Sequence, residues 1–327
     1  MKPILEVKHL RTQFKTDIGI VKAVDDVSFD LKKGEVLGIV GESGSGKTVM
    51  GMSIMGLLPI GKNVSVSGDV IFGNENLIEK KERYMRDIRG KKIAMIFQDP
   101  MTSLNPFLRI STQLIEIMRR HLDISKQDAK DRAIELLQLT GVPQPKQRVD
   151  DYPHQFSGGM RQRIMIAMAI SCDPSLIIAD EPTTALDVTI QAQVMELLHK
   201  LKDQLDTSII LITHDLGVVA GFCDRVHVMY SGKIVEKAST NELFEDPKHP
   251  YTKGLLKSIP RADSEIKGEL YTIPGQPPLL VSLPDGCPFA PRCEFVRSEC
   301  TVSYPPISNF SHERNVHCWL YGDDANE

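Results

Sequence analysis

The apolar stretch Glu35-Val36-Leu37-Gly38-Ile39-Val40 runs directly into Gly41-Glu42-Ser43-Gly44-Ser45-Gly46-Lys47-Thr48. The apolar run predicts a buried strand, and Thr48 to about Leu58 predicts the helix that follows. Strand, glycine loop and helix in that order restrict the chain to an α/β fold whose strand end presents backbone to an anion. Gly41, Gly44 and Gly46 let successive N–H groups converge on phosphate, with Ser43 and Ser45 between them. Lys47 can neutralise β/γ-phosphate charge, and the Thr48 hydroxyl can ligate magnesium. A glycine-rich turn with a surface lysine is the plainer alternative, and the flanking strand and helix argue against it.

A second stretch reads Phe156-Ser157-Gly158-Gly159-Met160-Arg161-Gln162-Arg163 and, one helix length later, Leu176-Ile177-Ile178-Ala179-Asp180-Glu181. A Ser-Gly-Gly turn opening a helix offers free N–H groups and a positive dipole end. An apolar strand ending in two acids can deliver a magnesium partner, Asp180, and a water-orienting carboxylate, Glu181. Gln98 ends the strand-like run Lys92–Phe97, where an amide can reach magnesium or the attacking water. His214 closes Ile209–Thr213 and can contact a γ-phosphate. Singly, such a glutamine or histidine means little; their order along the chain gives them weight.

Residues 4–40 alternate apolar and polar positions, as in Val27-Ser28-Phe29-Asp30-Leu31, and predict short antiparallel strands. From about 106 to 150 the spacing turns helical, with Leu114, Ile115, Ile117 and Met118, then Ala133, Ile134, Leu136, Leu137 and Leu139. This predicts a helical subdomain over about 99–155 inserted into the α/β core. The core resumes with a helix after Ser157, the strand 176–180, a helix near 188–205 and the strand Ser208–Ile212, which implies a mainly parallel, covered sheet. After about residue 235, prolines from Pro247 to Pro291 break the periodicity. The expected division is 1–235 and a loop-rich domain, 236–327, that needs an added staple.

With 327 residues, 25% charged and 41% hydrophobic, the chain has the make-up of a soluble globular protein. A net charge of −4 gives no reason to expect nucleic acid as a partner. No apolar run approaches the roughly 18 residues that span a bilayer, and the N-terminus lacks a signal peptide's apolar centre. The expectation is a cytoplasmic chain that reaches a membrane only through partners. Cys172 and Cys223 read as buried free thiols. Cys287, Cys293, Cys300 and Cys318 crowd one end, which in a cytoplasmic chain favours metal over disulfides.

These motifs resemble the nucleotide-binding subunit of ABC transporters over roughly residues 4–235. The order matches element by element: phosphate loop, Gln98, signature at 156–160, Asp180-Glu181, the Thr184-Ala185-Leu186-Asp187 loop and His214. The resemblance implies a RecA-like P-loop ATPase core with an antiparallel β-subdomain and the inserted helical subdomain. It also implies that Ser157, Gly158, Gly159 and Met160 of one subunit close over ATP and Mg2+ held by the other, with Asp187 coupling the two sites. Phe14 is the candidate adenine-stacking aromatic. The family signature usually begins with Leu and ends with Gln; here Phe156 keeps an apolar anchor, while Met160 lacks the amide.

A narrower resemblance, to the D-subunit family of dipeptide/oligopeptide permease ATPases, rests on Gln98-Asp99-Pro100-Met101-Thr102-Ser103-Leu104-Asn105-Pro106, the Met160-Arg161-Gln162-Arg163 ending and His249-Pro250-Tyr251-Thr252. It implies an ATP-driven peptide importer subunit peripheral to the cytoplasmic membrane face. Its implied partners are an F-type ATPase subunit, two membrane permease subunits and an external or periplasmic peptide-binding protein. Met101 to Leu108 and the inserted helices are the expected docking surface for the permeases. The four distal cysteines, separated by five, six and seventeen residues, match the pattern that holds a 4Fe–4S cluster in that family. Zn2+ is the alternative for four thiolates. Importers of nickel, glutathione or antimicrobial peptides use a similar subunit, and a soluble ABC protein or a redox-sensing Fe–S ATPase are the readings from outside transport.

Overall fold

Two long strands, Leu5–Thr16 and Gly19–Leu31, open the computed structural model as an antiparallel hairpin paired from Leu5↔Leu31 to Thr16↔Gly19, with the register shifting between Val7 and Gln13. The structure describes residues 2–184, 186–259 and 271–322. The alternation read from 4–40 is therefore a hairpin of 12- and 13-residue strands rather than several short ones. Leu5, Val7 and Leu10 point inward, and the polar residues between them point out. A strand that the sequence reading missed, Val64–Phe72, pairs antiparallel with Leu5–Thr16. Its Ser and Gly content and mostly half-exposed face hide the period-2 signal, with Val70 its fully buried position.

The chain divides into two compact units. The first comprises residues 1–31, 36–78 and 212–327. Besides the hairpin it holds the fully buried strand Val36–Val40, which runs parallel to Arg225–Tyr230 with Leu37↔Arg225 and Val40↔Val228 in register. Lys233–Ser239 returns antiparallel beside Arg225–Tyr230 and takes Asn315–His317 on its other side, pairing Glu236 with Val316. Ile307–Asn309 completes that edge. The proline-rich tail thus joins the sheet through two three-residue strands too short to show a period. The helix after the glycine loop spans Lys47–Ile54, ending short of Leu58. Gly56 in the left-handed region, φ 61°, stops it, and Pro59 follows.

The second unit comprises residues 32–35 and 79–211. Its buried strands Ile93–Ile96 and Leu176–Asp180 run parallel. The helical spacing near 106–150 resolves into Ile110–His121 and Lys126–Leu139, which pack together, with Ile110, Leu114 and Met118 buried on one and Ala129, Ala133 and Leu137 on the other. Ser125 caps the second helix, accepting the Asp128 N–H at 3.1 Å. Asp150 ties both helices, accepting from Lys130 Nζ and Ser111 Oγ at 2.7 Å each. Those two bonds hold the Asp150 carboxyl below its usual range. Among the described residues no helix is long and apolar enough to cross a membrane.

Candidate functional site

The phosphate loop is shaped by what surrounds its glycines. A Cβ on Gly41 would lie 2.1 Å from the Met229 carbonyl oxygen, and one on Gly46 2.1 Å from that of Ala23. Gly46 also sits at φ 104°, where an L side chain is strained. The loop is thus pressed against two neighbouring strands and admits only glycine at these points. Gly46 is the N-cap of Lys47–Ile54 and no side chain caps that end, so the first-turn N–H groups face outward as an anion cradle. Lys47, 4% exposed, folds back and donates from Nζ to Gly41 O at 2.7 Å and Glu42 O at 2.9 Å. Ser43 and Gly44 are exposed, Ser45 is buried and Thr48 half-buried.

In the second unit Gln98 and Glu181 meet. Gln98 Nε2 donates to Glu181 Oε2 at 2.9 Å, and Thr184 Oγ1 donates to the same oxygen at 2.8 Å. Glu181 has φ 46°, a left-handed backbone that a glutamate adopts only under constraint. Asp180, one residue earlier, is 2% exposed at the strand end. Gln162, 1% exposed, donates to Pro182 O at 2.6 Å and so ties the helix Gly158–Ala169 to the turn after Glu181. The helical register of Gln162 in the Met-Arg-Gln-Arg run signals this inward amide, which was not singled out from sequence. His214 is exposed directly after the strand Ser208–Thr213, in the first unit.

Ser157 is exposed and N-caps Gly158–Ala169, with Met160 N–H at 3.4 Å from its hydroxyl. Phe156, 3% exposed, anchors the turn beneath the Arg148 guanidinium, 4.2 Å from its ring centroid. The same guanidinium donates to Met160 Sδ at 3.4 Å, which gives the unusual methionine a packing role. Asp187 caps Val188–Leu205 by accepting the Ile190 N–H at 3.0 Å. Ala185, in the loop before it, lies outside the described residues. Phe14 is half-buried on Leu5–Thr16, opposite Val21 and Val64.

Residues 24–184 match the ABC transporter family model, and residues 235–300 match the oligopeptide/dipeptide transporter C-terminal region. The chain is 50% identical over 326 residues to an oligopeptide transport ATP-binding protein of Haemophilus influenzae, covering 100% of each. To a dipeptide transport ATP-binding protein of Bacillus subtilis it is 52% identical, covering 99% of this chain and 97% of that one. The chain belongs to the ATP-binding subunits of oligopeptide and dipeptide ABC transporters. Its fold is that of the ABC ATPases: the dimeric post-hydrolysis cassette MJ0796 bound to ADP and Pi superposes with TM-score 0.65 at 28% identity, over 72% of this chain and 98% of that one.

The expected metal centre of this ABC subunit is not assembled. Among the described residues no group of three or more His, Cys, Asp or Glu side chains is arranged to hold a metal ion. Cys287, Cys293, Cys300 and Cys318 are free thiols. Burial, reinforced by neighbouring cysteines, pushes the Cys287 and Cys318 thiols up to about 11. Magnesium at the nucleotide needs only one or two carboxylates and the nucleotide's phosphates. Cys172 and Cys223 are buried free thiols, and burial raises both.

Sequence reading also passed over the contacts of Glu42. Its N–H donates to Tyr251 Oη at 2.7 Å, and its carboxylate accepts from both terminal guanidinium nitrogens of Arg292, at 2.7 and 2.9 Å. The His249-Pro250-Tyr251 motif explains the first contact. His249 Nδ1 caps Pro250–Lys257 by accepting the Tyr251 N–H at 3.0 Å, which fixes where the phenol begins.

Proposed function

We propose that this chain is the ATP-hydrolysing subunit of an ABC importer for di- and oligopeptides. The observation that carries the reading is end-to-end identity near half with oligopeptide and dipeptide transport ATP-binding proteins. The retained Lys47, Gln98, Glu181 and His214 support hydrolysis as its chemistry. Gly41, Ser43, Gly44, Ser45, Gly46, Lys47 and Thr48 hold the phosphates, and Phe14 stacks on adenine. Thr48, Gln98 and Asp180 would hold Mg2+, which when bound offsets phosphate charge. Glu181 orients the attacking water, held toward it by Gln98 and Thr184, and His214 steadies the γ-phosphate side.

Ser157, Gly158, Gly159, Met160 and Asp187 serve the nucleotide of a second, F-type ATPase subunit in a heterodimer. The exposed Ser157 turn and the dimeric form of the solved cassette relative support pairing with a second ATPase subunit, and the F-type partner rests on the family resemblance. Two permease subunits dock on the segment after Gln98, where Met101 is 59% and Phe107 87% exposed. A peptide-binding protein delivers substrate from outside, and the subunit sits on the cytoplasmic face of the membrane. The finer cofactor reading, a 4Fe–4S cluster with Zn2+ as alternative, rests on the cysteine spacing and the family resemblance. Anaerobically purified protein with about four irons per chain supports it; protein free of iron and zinc overturns it.

The test of function is uptake. Proteoliposomes carrying the assembled complex should accumulate labelled oligopeptide with ATP and stop when Glu181 becomes Gln. Uptake of nickel or glutathione in place of peptide would redirect the substrate. ATP hydrolysis that no membrane partner or solute alters would point to a soluble ABC protein.

A further inference from the structure

Glu42 is the second residue of the phosphate loop, and every polar atom it carries is engaged. Its N–H goes to Tyr251 Oη, and both carboxylate oxygens go to Arg292. Its carbonyl accepts Lys47 Nζ at 2.9 Å and the Ser45 N–H at 3.2 Å. Two of these ties reach inward along the loop, to the lysine and to a backbone N–H of the anion cradle. The other three reach out to the C-terminal segment. Glu42 is therefore the joint between them.

The outer side of that joint is rigid. The Arg292 side chain is 5% exposed and closes the turn Ala290–Arg292. Its Nε donates to Pro274 O at 3.0 Å, and Nη1 also reaches Tyr230 Oη at 3.3 Å. Tyr230 and Tyr251 pack at 4.6 Å between ring centroids, and each meets Phe289 at 5.4 Å. Arg292 lies 5.8 Å from the Phe289 ring centroid. A planar guanidinium in such a frame admits one orientation of its partner carboxylate. A bare carboxylate beside a triphosphate would repel it, so pairing Glu42 with Arg292 both directs the charge and neutralises it.

We propose that Arg292 and the Tyr251 hydroxyl are positioning residues for ATP binding, by which the C-terminal segment holds Glu42 and, through its carbonyl, Lys47. Neither residue touches nucleotide; both act on the ground-state cradle. Losing them weakens ATP binding more than the chemical step. The proposal rests on the ATPase reading above, and it is read by nucleotide affinity, which is measured before any transport.

The experiment uses the full-length chain, with ATP affinity measured by labelled-nucleotide binding and KM and kcat measured in the assembled complex. A charge-assisted bidentate pair transmitted through one residue predicts about a tenfold rise in Kd and KM for Arg292→Ala, with kcat within about twofold of wild type. Arg292→Lys should restore part of the loss, because it returns charge without the fork. Tyr251→Phe keeps the ring and removes one hydrogen bond, predicting a rise of about threefold with a melting temperature lowered by only a few degrees. In a Glu42→Gln background, Arg292→Ala should cost much less than alone. Unchanged affinity in a folded Arg292→Ala and Tyr251→Phe pair would overturn the proposal. So would a fall in kcat at constant KM, or equal costs in both Glu42 backgrounds. Absence of ATP binding in the wild-type chain would instead overturn the ATPase reading.

Discussion

The two loops that carry the chemistry are built in opposite ways. The phosphate loop is locked: glycines pressed on two strands, a folded-back Lys47 and a Glu42 satisfied at each polar atom. The Gln98–Glu181 pair is built from side chains instead, with an exposed glutamine donating to a glutamate that also takes the Thr184 hydroxyl, on a left-handed backbone. Phosphate binding gains from a cradle ordered in advance, since the loop then loses little ordering entropy on arrival. A group that must change partners between binding and hydrolysis gains from polar side-chain partners that can be exchanged. The contrast predicts that damage to the first loop appears in affinity, and damage to the second in turnover.

Four results would break or sharpen that contrast. The largest effect is expected for Lys47→Ala, which removes the buried cation and its two carbonyl contacts; ATP affinity should fall by about a hundredfold or more by labelled-nucleotide binding. Gln98→Ala should lower kcat by about tenfold while leaving affinity near wild type. An equal loss in both would erase the distinction between the loops.

The third result concerns acid. Burial, with help from His317 and Lys253, lowers His249 to about 3, and burial lowers the enclosed His227 as well. An unfolded histidine takes its proton near pH 6.5, so their contribution is present above that pH and is lost as pH falls toward the folded values. Between pH 6.5 and 5 the loss reaches at most about 2 kcal/mol per histidine. The melting temperature should therefore drop over that range, and His249→Asn, which can still cap Pro250–Lys257, should flatten the drop. The smallest effect is expected for Phe14→Ala, about threefold in ATP affinity from lost stacking; an unchanged value would assign Phe14 to sheet packing alone.

Much of this was legible because it depends on local pattern. Val36–Thr48 declares itself through an apolar run and glycine spacing, and Ile110–Leu139 through helical periodicity. The helix Val188–Leu205 falls where the sequence places it, near 188–205. What stayed hidden depends on contacts distant in sequence. Val64–Phe72 is a strand because Leu5–Thr16 offers it an edge. Glu42 reads as a filler position until Arg292, 250 residues away, reaches its carboxylate. The cysteine spacing was legible as well, yet the thiols as placed are not gathered into a metal-holding group. Spacing fixes which residues can be ligands and leaves open whether the surrounding chain brings them together.

The most direct test of the account is Glu181→Gln in the assembled complex, with ATP affinity and turnover measured on the same preparation. The account predicts affinity within about threefold of wild type and kcat reduced by about a hundredfold or more, because the exchange keeps the side chain's shape and removes the charge that orients water. Normal turnover in that variant, or loss of affinity with turnover kept, would contradict it.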